Sequence, residues 1–395
     1  MGAQLRIVLA LFSAFACSTV AAQPLGLPAV PIPADNPQTP AKIRLGDKLF
    51  NDKRFSSTGE VSCATCHDPA KAFTDSPLVT SEGIRKLTGT RNAPTVLNAA
   101  YFTKMFWDGR ATDLEDQSQH PFVNPVEMGL ADHQPILKTV HEDPEYVAAF
   151  REVFGKEPAQ VTMREVQQAI ASFERTLVSG DSPFDQWYFG GQKDAISAQA
   201  QRGFDVFMNK GRCVSCHTIE QDHALFTDNR FHNIGVGVNR IQAEIPQLAP
   251  QFLRAKAEGV DVDKAVLSNP RVSELGRFAV TETLDELGAF KTSTLRNIAV
   301  TAPFMHDGSL KTLRDVVEHY NNGGITKKTD AVNDFLSGGI RPLDLTEDEM
   351  SDLVAFMETL TSPQFAAQKS AALAPSCNVP TSLVAAGATT TGGAP

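Results

Sequence analysis

The feature that most constrains this chain is a five-residue pattern, C-x-x-C-H, that occurs twice: Cys63-Ala64-Thr65-Cys66-His67 and Cys213-Val214-Ser215-Cys216-His217. Each copy follows a similar approach. AKIRLGDKLFNDKRFSSTGEVSCATCH and AQAQRGFDVFMNKGRCVSCH both place a helix-patterned segment with a Gly and a Phe, then a basic turn, ahead of the cysteines. The second motif begins 150 residues after the first, so the chain reads as an internal duplication with two tandem units. In such a motif the two thiols add to the vinyl groups of a haem, and the adjacent histidine supplies the proximal iron ligand. A single copy is also half a zinc site or a redox-active dithiol. Two copies after similar helices favour two covalent c-type haems, and the cysteines are too far apart in sequence for one compact zinc finger.

The other cysteines do not form a disulfide framework. Of six, four belong to the motifs, Cys17 lies near the start, and Cys377 is left in a tail with no evident partner. Residues 1–22 read as a secretory signal peptide: Arg6 supplies the charge, Ile7 to Ala16 the apolar run, and Val20-Ala21-Ala22 the small-residue cleavage site. The run is too short to span a bilayer, so the mature chain is expected to have no membrane span; a retained anchor is the alternative. A periplasmic location follows, and bacterial c-type haems are attached outside the cytoplasm. The net charge of −10 with no basic stripe argues against a nucleic-acid partner. It would steer a basic soluble partner, or serve solubility alone.

At 395 residues the chain can bury more than one core. Residues 23–38 belong to a stretch with six prolines up to Pro40 and read as an extended leader. Thr39 to Phe50 has a helical pattern with Ile43, Leu45 and Leu49 as its apolar positions. Met163 to Leu177 and Leu345 to Leu360 repeat at three and four residues, the latter opening on the capping box Thr346-Glu347-Asp348-Glu349. Strand signals are sparse. The expected fold is mainly α, with two tandem cytochrome c-like domains over 39–190 and 191–362. From 363 to 395 the chain is Ala-, Thr-, Ser- and Gly-rich and reads as a disordered tail.

What lies on the distal side of each iron decides function. An electron carrier fills the sixth position with Met or His; a peroxidase leaves it open and places acid–base groups above it. Spacing alone does not identify those residues.

Three further segments do bear on it: GTRNAPTVLNA (89–99), FWDGRATDLEDQSQHPFVNPVEMG (106–129) and TLRNIAVTAPFMHDGSLKTLRDVVEHY (294–320). With the two motifs they resemble the bacterial di-haem cytochrome c peroxidase superfamily, including its MauG-type maturation enzymes, over roughly residues 39–362. The resemblance implies His67 as proximal ligand of a peroxidatic haem and His217 as that of an electron-transfer haem. Gln117, Pro121 and Glu127 match the family's distal pocket, Glu127 as the acid–base residue and Gln117 as an orienting amide. Trp107 matches a tryptophan between the haems. Asn92, Thr301 and Pro303 match a calcium site, Asn92 through its side-chain oxygen and the other two through carbonyls, oxygen ligands that suit this hard cation.

Two departures refine the expectation. Between Asp68 and Gln119 there is no histidine to close the first haem, as the usual peroxidases have, although His120 and His133 are nearby substitutes. Where those peroxidases carry an axial Met for the second haem, this chain has Tyr320, the MauG-type choice, which favours ferric iron. MauG-type enzymes also have a surface Trp just ahead of the second motif; Phe207 to Arg212 contain none, and the other tryptophan is Trp187, beside Tyr188. The resemblance thus implies an exported oxidoreductase that reduces hydrogen peroxide at the N-terminal haem. Electrons would come through the C-terminal haem from a small donor protein, a cytochrome c or a cupredoxin. A maturation enzyme oxidising a partner protein and a pure electron-transfer cytochrome are the alternatives.

Overall fold

The computed structural model describes residues 23–325 and 333–373. The signal-peptide reading and Cys377 lie outside the described residues. The chain is mainly helical, and among the described residues one ladder of strands pairs Phe231–His232 with Phe290–Lys291 antiparallel, Phe231 opposite Lys291.

The helix expected over 39–50 forms at Pro40–Asn51. Thr39 caps it by accepting from the Lys42 amide at 3.2 Å, and Pro40 occupies the first turn, where no amide donor is needed. Leu45, Leu49 and Phe50 are buried against the helix Met163–Glu174 and its surroundings in a core that also takes in Phe55, Phe122, Tyr146 and Ile170. The second motif has the same support. Helix Ala198–Met208 packs on Glu347–Glu358, whose predicted box closes with the Thr346 amide on Glu349 at 2.8 Å and the Glu349 amide on Thr346 at 3.2 Å. Phe207, Phe226, Phe356 and Leu353 form its core.

Both helix crossings use a glycine for the same reason. A Cβ on Gly46 would lie 1.9 Å from the Ala169 carbonyl oxygen, and one on Gly203 would lie 1.9 Å from that of Asp352. Each glycine is followed four residues later by a buried phenylalanine, Phe50 or Phe207, and each carbonyl by Phe173 or Phe356. The duplication read from the motifs therefore extends to the partner helices.

It extends further, at another spacing. From Asn98 to Pro121 the backbone is repeated 199 residues on, from Asn297 to Tyr320. Asn98 and Asn297 are left-handed, as are Phe106 and Met305 and the glycines Gly109 and Gly308. The bridge Met105–Ala111 matches Phe304–Leu310, and Asp113 and Thr312 cap equivalent helices, Leu114–Val123 and Leu313–Asn321. The jump from 150 to 199 residues reflects extra chain in the second unit. Helices Val238–Ile241, Ile245–Ala257, Val262–Ser268, Pro270–Ser273 and Phe278–Thr281 fill it around their own core of Phe252, Val266, Leu275 and Phe278.

The equivalent segments meet. The Asn92 amide donates to the His306 carbonyl at 2.8 Å and the Lys291 amide to the Trp107 carbonyl at 2.7 Å. Under the 199-residue shift Asn92 corresponds to Lys291 and Trp107 to His306, so this is one contact made twice, as a two-fold joint would make it.

The leader is extended but tied down. Leu25 and Asp181 exchange hydrogen bonds, the Gly26 carbonyl accepts from Arg296 Nη2 at 2.6 Å and from the Ala224 amide at 3.0 Å, and Pro28 accepts from the Tyr101 hydroxyl. Asn36 is fully buried between Glu115 and Gln168. Arg296 in turn holds Asp185 through two bonds of 2.9 and 3.0 Å, both side chains out of solvent.

One expectation needs correcting. Residues 363–373 are not part of a disordered tail: Pro363–Phe365 forms a 3-10 turn and Ala366–Leu373 a helix. Phe365 anchors them, buried with Ala72, Leu97 and Val300. A single apolar anchor in a low-complexity stretch leaves no periodic pattern to read. Residues 374–395 lie outside the described residues.

Candidate di-haem site

One continuous cavity is lined by both C-x-x-C-H motifs and by residues from each unit. Cys63, Cys66, Cys213 and Cys216 all line this cavity, and none is paired in a disulfide. Phe50, Val61, Leu114, Met128 and Ile170 line the first part; Phe207, Leu313, Val317, Leu353 and Met357 line the second.

The histidines are set up as ligands by their backbone contacts. His67 Nδ1 lies 3.3 Å from the Phe73 carbonyl and His217 Nδ1 lies 2.9 Å from that of Phe226. A carbonyl only accepts, so each Nδ1 carries the proton and each Nε2 keeps its lone pair for a metal. Burial lowers both imidazoles' proton affinity, which favours that neutral state. An apolar cavity, two thiols and an oriented imidazole, present twice, fit the c-type haem that the motif implies.

Gln117, Pro121 and Glu127 all line the cavity with the first motif. The helix Leu114–Val123 carries Gln117 and Pro121, and Asn124 fixes the turn after it, accepting from the Val126 amide at 3.0 Å and receiving the Glu127 and Gly129 amides on its carbonyl. Burial pushes the Glu127 carboxyl up to about 7; the Asp263 charge adds to this and Arg110 opposes it. Glu127 is thus poised to exchange a proton near neutrality. Neither His120 nor His133 lines the cavity. His120 pairs with Asp116 and Asp263, and His133 Nε2 sits 3.1 Å from the Gln119 carbonyl.

In the second unit Tyr320 lines the cavity with Cys213, Cys216 and His217, and burial raises its hydroxyl's proton affinity. The 199-residue shift gives the comparison its point: Tyr320 occupies the place that Pro121 holds in the first unit. One pocket carries an oxygen able to bind iron, and the other a ring with no donor. His319 faces elsewhere, with Nε2 2.8 Å from the Ile234 carbonyl.

Trp107 also lines the cavity, its indole N–H donating to the Asn92 carbonyl at 2.9 Å, at the joint between the units. Asn92, Thr301 and Pro303 share the cavity wall, where the Asn92 amide nitrogen contacts the Leu78 and Val79 carbonyls at 3.3 and 3.1 Å. Among the cavity residues that sequence reasoning missed are Glu174, Arg91 and Lys291. Glu174 is almost fully buried, pushed up to about 8 by burial, and its Oε2 has no hydrogen-bond partner; Arg91 and Lys291 are buried cations. Their burial is tertiary. Only the 199-residue repeat, which equates Lys291 with Asn92, could have drawn attention to one of them.

A helical chain with two such cysteine–histidine sets on one cavity is built as a di-haem protein, and comparison with known proteins places it further. The family model described as di-haem cytochrome c peroxidase matches residues 40–194. Cytochrome-c peroxidase IdrP1 of Denitromonas iodatirespirans is 38% identical over 382 residues, 91% of this chain and 94% of that protein. Methylamine utilization protein MauG of Methylorubrum extorquens is 38% identical over 331 residues, 84% of this chain and 81% of that protein. Among solved structures, a MauG-like protein associated with microbial copper homeostasis matches with a TM-score of 0.68 and 30% identity, covering 86% of this chain and 95% of that one. The chain belongs to the di-haem cytochrome c peroxidase family, and is an oxidoreductase of peroxidase or MauG type. Among the described residues, no helix is long and apolar enough to cross a membrane.

Proposed function

We propose that the chain reduces hydrogen peroxide in the pocket of the first motif, with electrons delivered through the second. The observation that carries this reading is the unequal pair Pro121 and Tyr320: equivalent positions give one pocket no ligand and the other a phenol oxygen. Bound haem supplies the iron that accepts a peroxide oxygen and the electrons that split the O–O bond. Glu127 takes the proton from the attacking oxygen and returns it to the departing one, which leaves as water. Gln117 orients the peroxide by hydrogen bonding. Tyr320 would supply its phenol oxygen, once deprotonated, as a ligand to the second haem, an anionic donor that would favour ferric iron. Trp107, at the joint, bridges the two units. Asn92, Thr301 and Pro303 would hold calcium there. The two cytochrome c-like domains, the signal peptide and a periplasmic location complete the reading, with a small donor protein, a cytochrome c or cupredoxin, docking near the second motif.

The test is an optical and EPR spectrum of the ferric holoprotein before and after one equivalent of peroxide. A high-spin signal that disappears supports the proposal, and two low-spin haems indifferent to peroxide would sink it. Tyr320 also favours a second reading, MauG-type oxidation of a partner protein. Poor turnover with small cytochromes together with a covalent change in a partner would select that reading.

A further inference from the structure

Two buried cations at the joint play no part in the chemistry above. Arg91 is 6% exposed and Lys291 9%, and both line the cavity. Withdrawing such a charge from water costs several kcal/mol, roughly, unless an anion compensates it. Neither cation has one to itself. Arg91 spends Nε and Nη2 on the Ser273 hydroxyl and carbonyl, at 2.6 and 2.7 Å, while its Nη1 is buried with no partner. The carboxylate it faces, Asp108, is 3.8 Å away and is already held by Arg110 at 3.0 Å. Lys291 Nζ has the Lys104 carbonyl at 3.1 Å and the Phe102 ring at 3.8 Å, both uncharged. Burial pushes the ammonium down to about 7, against the pull of Asp108.

We propose that Lys291 and Arg91 anchor propionate carboxylates of the tetrapyrroles held in this cavity. The inference rests on the di-haem reading and adds a binding role for two residues which that reading leaves idle. The chemistry is complementary. Propionates are the only charged substituents on such a macrocycle, and the cysteines take its vinyl edge, leaving the carboxylates to project elsewhere. Arg91 offers a free N–H from a planar fork suited to a carboxylate, and Lys291 a compact charge with donors to spare. Placement gives the pair its significance. The Lys291 amide is bonded to Trp107, and the residue after Arg91 is bonded to both Trp107 and His306. Anchoring here ties the haem edges to the two-fold joint.

The holoprotein is compared with Lys291→Met and Lys291→Arg by resonance Raman spectroscopy in the propionate bending region and by spectroelectrochemical titration. Lys291→Met is expected to shift the bending band and lower one haem's midpoint potential, because a lost positive charge disfavours the reduced state. Lys291→Arg is expected to keep both near wild type. An unmoved band and unmoved potentials in a fully loaded Lys291→Met protein overturn the proposal. Should that variant not fold, the wild-type bending band in H2O and D2O decides: a propionate held by N–H donors shifts on exchange, and no shift overturns the assignment. A pyridine haemochrome assay giving other than two haems per chain would instead overturn the underlying di-haem reading, independently of these bands.

Discussion

Burial gives the Glu127 carboxyl a proton affinity far above that of a solvated glutamate, reaching about 7. A base of that strength takes a proton from peroxide only when ionised, so the wild-type reaction rate is expected to climb as pH rises through about 7. Glu127→Gln should lose that inflection and react with peroxide about two to four orders of magnitude more slowly, the range for an acid–base group. Stopped-flow traces across pH 5–9 check both; wild-type turnover in the variant would remove Glu127 from the mechanism. At the second motif, Tyr320→Met should raise that haem's potential, and an unchanged ferric spectrum would mean that the phenol is no ligand. Glu174 makes a prediction about stability instead. Its folded-state value of about 8 exceeds the ordinary 4.5, so the folded chain binds this proton more tightly than the unfolded one. Its contribution is full below about 4.5 and is lost as pH rises through about 8. Glu174→Gln should flatten that decline in urea titrations; an identical slope would refute it. The motif cysteines and histidines were legible because they sit in a short, spaced pattern, whereas Glu127 was reached only through the resemblance of its segment to a family. Glu174, Arg91 and Lys291 were not, because a single charged letter carries no sign of being folded inward.

At the scale of elements, the crossings at Gly46 and Gly203 are the parts on which both pockets depend, since each brings the helix preceding its motif against a partner helix. A methyl group there meets a backbone carbonyl rather than a movable side chain. Gly46→Ala and Gly203→Ala should each cost about 1–3 kcal/mol, the usual range for overpacking. A thermal melt of each holoprotein measures this, and an unchanged midpoint would show that the helices slide apart at no cost. The helices themselves were readable: apolar positions placed Pro40–Asn51, and a capping box with an apolar run placed Glu347–Glu358, each to within a residue or two. The second repeat spacing was hidden because the inserted helices shift the register, and because key letters changed, Trp107 to His306 and Pro121 to Tyr320. The helix after Phe365 was missed because its anchor is one ring.

For the whole molecule, the leader matters more than its proline-rich sequence suggests. It touches both units, and its Gly26 carbonyl completes the hydrogen bonding of Arg296, a guanidinium with almost no exposure. Removing residues 23–30 should cost about 1–3 kcal/mol for that one unsatisfied donor, beyond the lost packing of Leu27. A denaturation curve that does not move would mean that water takes the carbonyl's place without penalty. The same strap has a kinetic corollary. Gly26 and Arg296 are 270 residues apart, and Leu25 and Asp181 are 156 apart, so the first stretch synthesised must wait for much of the chain before it finds its partners. Contacts of such long range form late. Until they do, Arg296 lacks its Gly26 acceptor and the two units lack the strap that touches both.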